Sequence, residues 1–235
     1  MTPSLKKRFW KEATVGDLGS GFTVLLDGRG IKTPAKGMFI LPTVQLAEAV
    51  AREWQAQSEE VDPASMPMTR RANAAIDKVT PQKREVADML AEYGGSDLLC
   101  YRATHPQELQ ERQAEAWNPV LDWARETLDA PLVATAGVMH LAQDPQSLGR
   151  LADEVRKLEV FPLTAFHDLV TITGSLVLAL AAIRGEFSID RIWELSRLDE
   201  RWQEEQWGED AMATGVARNK FQDLKDAFRF YDLSF

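Results

Sequence analysis

Between Ile189 and Asp210 the chain reads IDRIWELSRLDERWQEEQWGED, where carboxylates and tryptophans recur at helical spacing. On one helix, Leu195, Leu198 and Trp202 fall on one side with Ile192 beside them, and Trp193, Arg197, Glu200, Glu204 and Trp207 fall on the other. Three readings of that second stripe are open. Glu200 and Glu204, one turn apart, could share a proton in a buried site and act as an acid/base pair. The tryptophans could instead fill pockets on another protein while the carboxylates set the register. Or both faces are buried in a helical bundle and Arg197 pairs with Glu200 at i,i+3.

Other reactive residues are sparse. His105, His140 and His167 are far apart in sequence, whereas a metal site needs ligands that converge at helical or loop spacing, so no metal is expected. His167 and Asp168, placed at a helix start, could orient one another, but a lone histidine there reads as structural. The single cysteine, Cys100, has no basic neighbour to lower its pKa and reads as a small buried hydrophobe. Gly16 to Gly21 precedes a strand instead of a helix, and Asp27-Gly28-Arg29-Gly30 sits between two strands. Gly28 and Gly30 are therefore assigned to turns with positive φ, and no phosphate cradle or cofactor site is expected. No nucleophile elbow or zinc-protease signature is present.

Composition narrows the partners. A chain of 235 residues with 45% apolar content can bury a real core. Its formal charge of −9 opposes a nucleic-acid surface, the only local basic run being Lys6, Lys7 and Arg8. One cysteine allows no internal disulfide and fits a reducing compartment. The N-terminus lacks the apolar core of a secretory signal. The longest uncharged run, Leu169 to Ile183, is too short to span a bilayer and reads as the central buried helix of a bundle, so no membrane insertion is expected.

The elements that would position these groups follow from turn and cap signals. GFTVLL from Gly21, the Asp27-Gly28 turn and IKTPAKGMFILP with a turn at Lys36-Gly37 predict a small antiparallel meander, with Pro34 and Pro42 at its edges. Thr43 opens a helix carrying Leu46, Ala49, Val50, Glu53 and Trp54, and Trp54 is placed in its core face. A second helix is expected in MTRRANAAIDKV, and Thr80-Pro81 reads as the cap of a third that Gly94-Gly95 ends. SDLLCYRAT can return as a strand. Everything after His105-Pro106 is helical in period, with Ser188 capping the helix of the opening stretch. The fold class is therefore α+β, an N-terminal domain over residues 1–105 with a small antiparallel sheet and helices, then an all-α helical bundle over 106–235.

The residues also resemble a family. GFTVLLDGRGIKTPAKGMFILPT, LAEAVAREWQAQ, MPMTRRANAAID, DLLCYRA, WNPVLDWA and SRLDERWQEEQWG follow one another in the order found in the Atp12 assembly chaperones of F1 ATP synthase, from Phe9 to Gly208. The resemblance implies a non-enzymatic factor that binds the unassembled α subunit until it pairs with β, with an α+β domain joined to a helical one. It implies no cofactor, a free monomer, and, for a bacterial member, work in the cytoplasm where eukaryotic members work in the mitochondrial matrix. Matched residue by residue, Asp199, Glu200, Gln203, Trp207 and Gly208 take the positions tied to function, and the tryptophan of the Glu-Trp-x-x-Gln element is Trp54. Glu204 and Trp193 join the partner-facing set from the stripe, and Trp54, Gly28, Gly30 and Gly208 are assigned to structure. After Gly208 the acidic-aromatic-His-Asp continuation of many eukaryotic members is replaced by EDAMATGVARNK. Two competing classes remain at this point: a small acid/base enzyme using Glu200, Glu204 and His167 in an interdomain cleft, and a constitutive subunit with a broad apolar surface.

Overall fold

In the computed structural model, residues 7–235 are described; the reading of the N-terminus as lacking a signal rests partly on residues 1–6, outside that range. The chain divides into two compact units. The first comprises the chain up to Lys83 with Val160–Ala165 and Arg229–Phe235; the second comprises Arg84–Glu159 and Phe166–Phe228. The sequence places one boundary near residue 105. The contacts divide the chain differently, because segments remote in sequence, represented by Ala165 and Phe230, join the apolar cluster of the first unit.

The first unit holds the meander. Strands β1 (Ala13–Asp17), β2 (Phe22–Leu26) and β3 (Arg29–Gly30) form an antiparallel sheet in that order, with Val15 opposite Val24 and Leu25 opposite Gly30. Asp27 and Gly28 turn the chain at φ 48° and 78°, the left-handed pair that matches the twist of a hairpin. The Asp27 carboxylate accepts from the backbone N–H groups of Lys11 and Glu12, which hold its pKa below the usual carboxylate value. Gly30 is a correction: it lies in β3 without a positive φ. The chain turns again at Lys36, where φ is 67°, as its position beside Gly37 predicts.

Helix α1 (Val44–Gln55) starts where Thr43 predicts, with the Thr43 hydroxyl accepting from Leu46 N at 3.2 Å. It buries Leu46, Ala47, Val50 and Ala51 against Val24 and Leu26 of the sheet. Its last turn makes the Glu-Trp-x-x-Gln element a clamp. The Glu53 carboxylate accepts from Met68 N at 2.7 Å and Thr69 N at 2.8 Å, capping α2 (Pro67–Ala74). Gln57 donates to Ser65 Oγ and accepts from Asp62 N. Trp54 is half-buried on the apolar cluster and meets Trp10 edge-on, with ring centroids 5.2 Å apart. Thr80 departs from expectation: it caps nothing, and its hydroxyl donates to Ala75 O across a π-helical turn that continues the helical backbone.

The second unit is almost wholly helical. It takes in α3 (Lys83–Ala91) from Arg84 on, α4 (Gln107–Leu128), α5 (Pro145–Arg156) and the latter part of α6 (Val160–Thr173). It continues with α7 (Leu176–Ile183), α8 (Ile189–Ser196), α9 (Leu198–Trp207) and most of α10 (Ala211–Asp232). SDLLCYRAT becomes one short 3-10 turn and a two-residue strand, β4 (Tyr101–Arg102). That strand pairs in parallel with β5 (Thr135–Ala136), an exception to the helical period expected after residue 105.

Two expected single helices are broken. The uncharged run Leu169–Ile183 is the end of α6 and all of α7, because Gly174 turns left-handed at φ 69° and Ser175 caps α7 by accepting from Leu178 N. Asp97, fully buried, ties that corner: it accepts from Ser175 Oγ at 2.7 Å, Val177 N at 3.0 Å and Leu99 N at 3.0 Å. Burial pushes its pKa up against those bonds. The opening stretch breaks at Arg197, whose φ of −113° and ψ of 22° separate α8 from α9. Ser188 caps α8 as predicted. No helix among the described residues is long and apolar enough to cross a membrane.

Replacing Trp54 with Arg should destabilise the protein by roughly 3 kcal/mol, through lost aromatic packing and an unpaired charge against the core. Denaturant unfolding checks this, and an unchanged midpoint would mean the indole contributes no packing.

Candidate functional site

The break at Arg197 re-phases the stripe read from the sequence. With α9 starting at Leu198, the only buried residue of that helix, Arg197 cannot serve Glu200; its guanidinium donates instead to Glu204 Oε1 at 2.7 Å. Arg197 also lies 5.3 Å over the Trp193 ring. Trp193 is half-buried and stacks on Phe221 of α10, centroids 5.3 Å apart at 15°. The two tryptophans of the stripe therefore part company: Trp193 packs within the fold, whereas Trp207 is 80% exposed. Glu200 is exposed and has no ion pair or hydrogen bond among the described residues.

Helix α9 is moored to α4 at two points. Asp199 Oδ1 accepts from Gln113 Nε2 at 2.7 Å, and the same amide's oxygen accepts from Ala103 N at 2.8 Å. Arg112 grips Glu205 through both terminal guanidinium nitrogens, Nη1 to Oε2 and Nη2 to Oε1 at 2.8 Å, and lies 5.8 Å over the Trp202 ring. That pairing holds the Glu205 carboxyl below its usual pKa. Gly208 closes the helix at φ 89°, its N–H donating to Glu204 O at 2.9 Å.

The mooring leaves α9 as a ridge between two open hollows that share Asp199. One, of about 300 Å³, is bordered by Trp193, Arg197, Glu200 and Lys220. The other, of about 520 Å³, has Trp202, Gln203, Gln206 and Trp207 on the α9 side and His105, Pro106 and Leu109 at the start of α4. Beyond Gly208, the first ten residues of α10 are exposed or half-exposed, with Met212 at 80% and Val216 also outward.

The acid/base arrangement does not assemble. Glu204 is engaged by Arg197, and His167, in the middle of α6 instead of at its start, contacts Asp168 at 3.2 Å and borders neither hollow. Cys100 is buried and its thiol pushed up to about 12, first by desolvation and then by Asp97, which removes thiolate chemistry. Among the described residues no three His, Cys, Asp or Glu side chains gather as metal donors. Asp199, Glu200, Gln203, Glu204 and Trp207 share α9, in the second unit; Trp54, Gly28 and Gly30 belong to the first. Sequence reasoning missed Arg112, Gln113, His105 and Gln206. Gln113 alone left a signal, a polar residue four before Trp117 on the apolar face of α4.

An open helix carrying an exposed tryptophan and one unpaired carboxylate, Glu200, has groups of the kind that protein-docking surfaces use. The family profile described as ATP12 chaperone protein matches residues 7–125. The mitochondrial protein atp12 of Schizosaccharomyces pombe is 26% identical over 215 residues, covering 86% of this chain and 74% of that protein. The crystal structure of Atp12 from Paracoccus denitrificans is 48% identical, with a TM-score of 0.94 over 97% of this chain and 98% of that one. A solved Agrobacterium tumefaciens protein is 40% identical, also at 0.94, over 97% of this chain and 86% of its own. The chain belongs to the ATP12 chaperone family, and with it to the chaperones of ATP synthase assembly.

Two outcomes test the mooring. Gln113→Ala, which orphans Ala103 N and frees Asp199, should cost about 2 kcal/mol and speed hydrogen exchange at the α9 amides; unchanged exchange would mean α9 is held elsewhere. The Glu205 pKa is lowered on folding from its ordinary 4.5, so its stabilisation is full above that value and fades as pH falls through the folded value. Glu205→Gln should therefore flatten the acid limb of stability, read as urea midpoints from about pH 6 to about pH 3. A limb as steep as the parent's would remove this pair from the acid response.

Proposed function

We propose that this chain is a binding protein, not an enzyme, that takes up the newly made α subunit of F1 ATP synthase and holds it until β replaces the chaperone. It works as a monomer in the bacterial cytoplasm. Family membership and the resemblance over Phe9 to Gly208 support the client class. The observation that carries the docking surface is the division of labour on α9: Glu204 and Glu205 are neutralised by Arg197 and Arg112, while Glu200 and Trp207 are left outward.

Physical chemistry suits the task. An unassembled subunit exposes apolar area meant for its partner, and such area associates wrongly unless covered. Trp207, Met212 and Val216 offer exposed apolar contact. Glu200 and its neighbours favour a basic rim on the client and speed encounter at low salt.

Glu200→Lys should weaken capture of isolated α about tenfold at low salt and leave stability within about 0.5 kcal/mol, since the side chain is exposed and unpaired. Pull-down of purified α alongside a melting curve reads both. Undiminished capture by a folded variant removes Glu200 from the contact.

A further inference from the structure

Three tryptophans of the second unit carry an arginine over the ring. Arg102 lies 5.1 Å from the Trp117 centroid, Arg197 5.3 Å from Trp193 and Arg112 5.8 Å from Trp202. In two of these the guanidinium also meets a carboxylate of α9, Glu204 or Glu205. Two other groups of α9 are not gripped by an arginine in this way: Trp207 has no cation over its ring, and Asp199 is hydrogen-bonded by Gln113 on one oxygen and is met by Arg102 only electrostatically. Both border the groove of about 520 Å³.

We infer that this groove is a socket for an arginine side chain presented by the client protein. No Lys or Arg lines it, whereas Arg112, Arg191 and Arg201 border a third hollow, of about 320 Å³, formed by α4, α8 and α9. Arg112 lies over the Trp202 ring without bordering the groove, which Trp202 itself lines. A guanidinium is planar and weakly hydrated, so it stacks on indole, and its fan of N–H donors matches the Asp199 carboxylate and the amide oxygens of Gln203 and Gln206. An ammonium gives one compact charge with less stacking, and an aliphatic side chain would strand the carboxylate and the amides without water.

The identity of the visitor's owner rests on the proposed binding of α; the socket does not. The test follows the indole N–H resonances of Trp202 and Trp207 while argininamide, lysinamide or norleucinamide is titrated into the full chain. Argininamide should shift both, lysinamide should bind several-fold more weakly and norleucinamide should leave them in place. Asp199→Asn, which keeps an oxygen for Gln113, should weaken argininamide about tenfold, and Trp207→Ala, at an exposed ring, about threefold. Equal shifts from norleucinamide, or none from argininamide, overturn the socket. Capture of isolated α by Trp207→Ala separates the two claims. Argininamide binding with unimpaired capture upholds the socket and denies that α fills it; impaired capture without argininamide binding overturns the socket and leaves α docking standing.

Discussion

Burial of Trp117 is the constraint on which the placement of α8 and α9 depends. Its ring is fully buried and its indole N–H donates to Leu195 O at 2.9 Å, which fixes the end of α8 against α4. Arg102 lies over that ring and donates to Gln113 O at 2.6 Å and Asn118 Oδ1 at 3.0 Å, so the residue that holds Asp199 is itself held. An indole that must bury both its faces and its one donor leaves little freedom to its neighbours. Through this chain of contacts α4 decides where α9 lies and which of its side chains face water.

Much of the local structure was legible. Thr43, Ser188 and the Asp27-Gly28 pair act as their types predict, because caps and left-handed turns are settled by residues within a few positions of one another. Cys100 was readable as a buried hydrophobe, and it is burial, a tertiary effect, that raises its thiol pKa. The break at Arg197 was not legible, since SRL contains neither glycine nor proline and the helical period runs straight through it. What divides the helix is tertiary: Leu195 and Leu198 are both buried, and the carbonyl of Leu195 is taken by Trp117. Gly174-Ser175 did carry an end-and-start signal, which the apolar run around it masked.

The candidate site was half legible. Sequence and resemblance placed Asp199, Glu200, Gln203, Glu204 and Trp207 on one element, where they are. They could not sort paired from unpaired carboxylates, because the deciding partners lie 86 and 93 residues away in Gln113 and Arg112. Trp193 and Trp207 looked equivalent by spacing, and Phe221 on α10 made them different. The unit boundary was hidden for a like reason: residues 160–165 and 229–235 return to the first unit by contacts that no local pattern announces.

The pairing of Glu204 with Arg197 and of Glu205 with Arg112 has a consequence for how such a surface can change over generations. Folding of the second unit draws on one set of carboxylates and the outer face presents another. Proteins whose binding groups also hold the fold must trade affinity against stability. Here the paired Glu204 and Glu205 and the unpaired Glu200 are different residues of one short helix, so drift at Glu200 can follow a changing client while those pairings stay in place, whereas Asp199, which is bound to Gln113, has no such freedom.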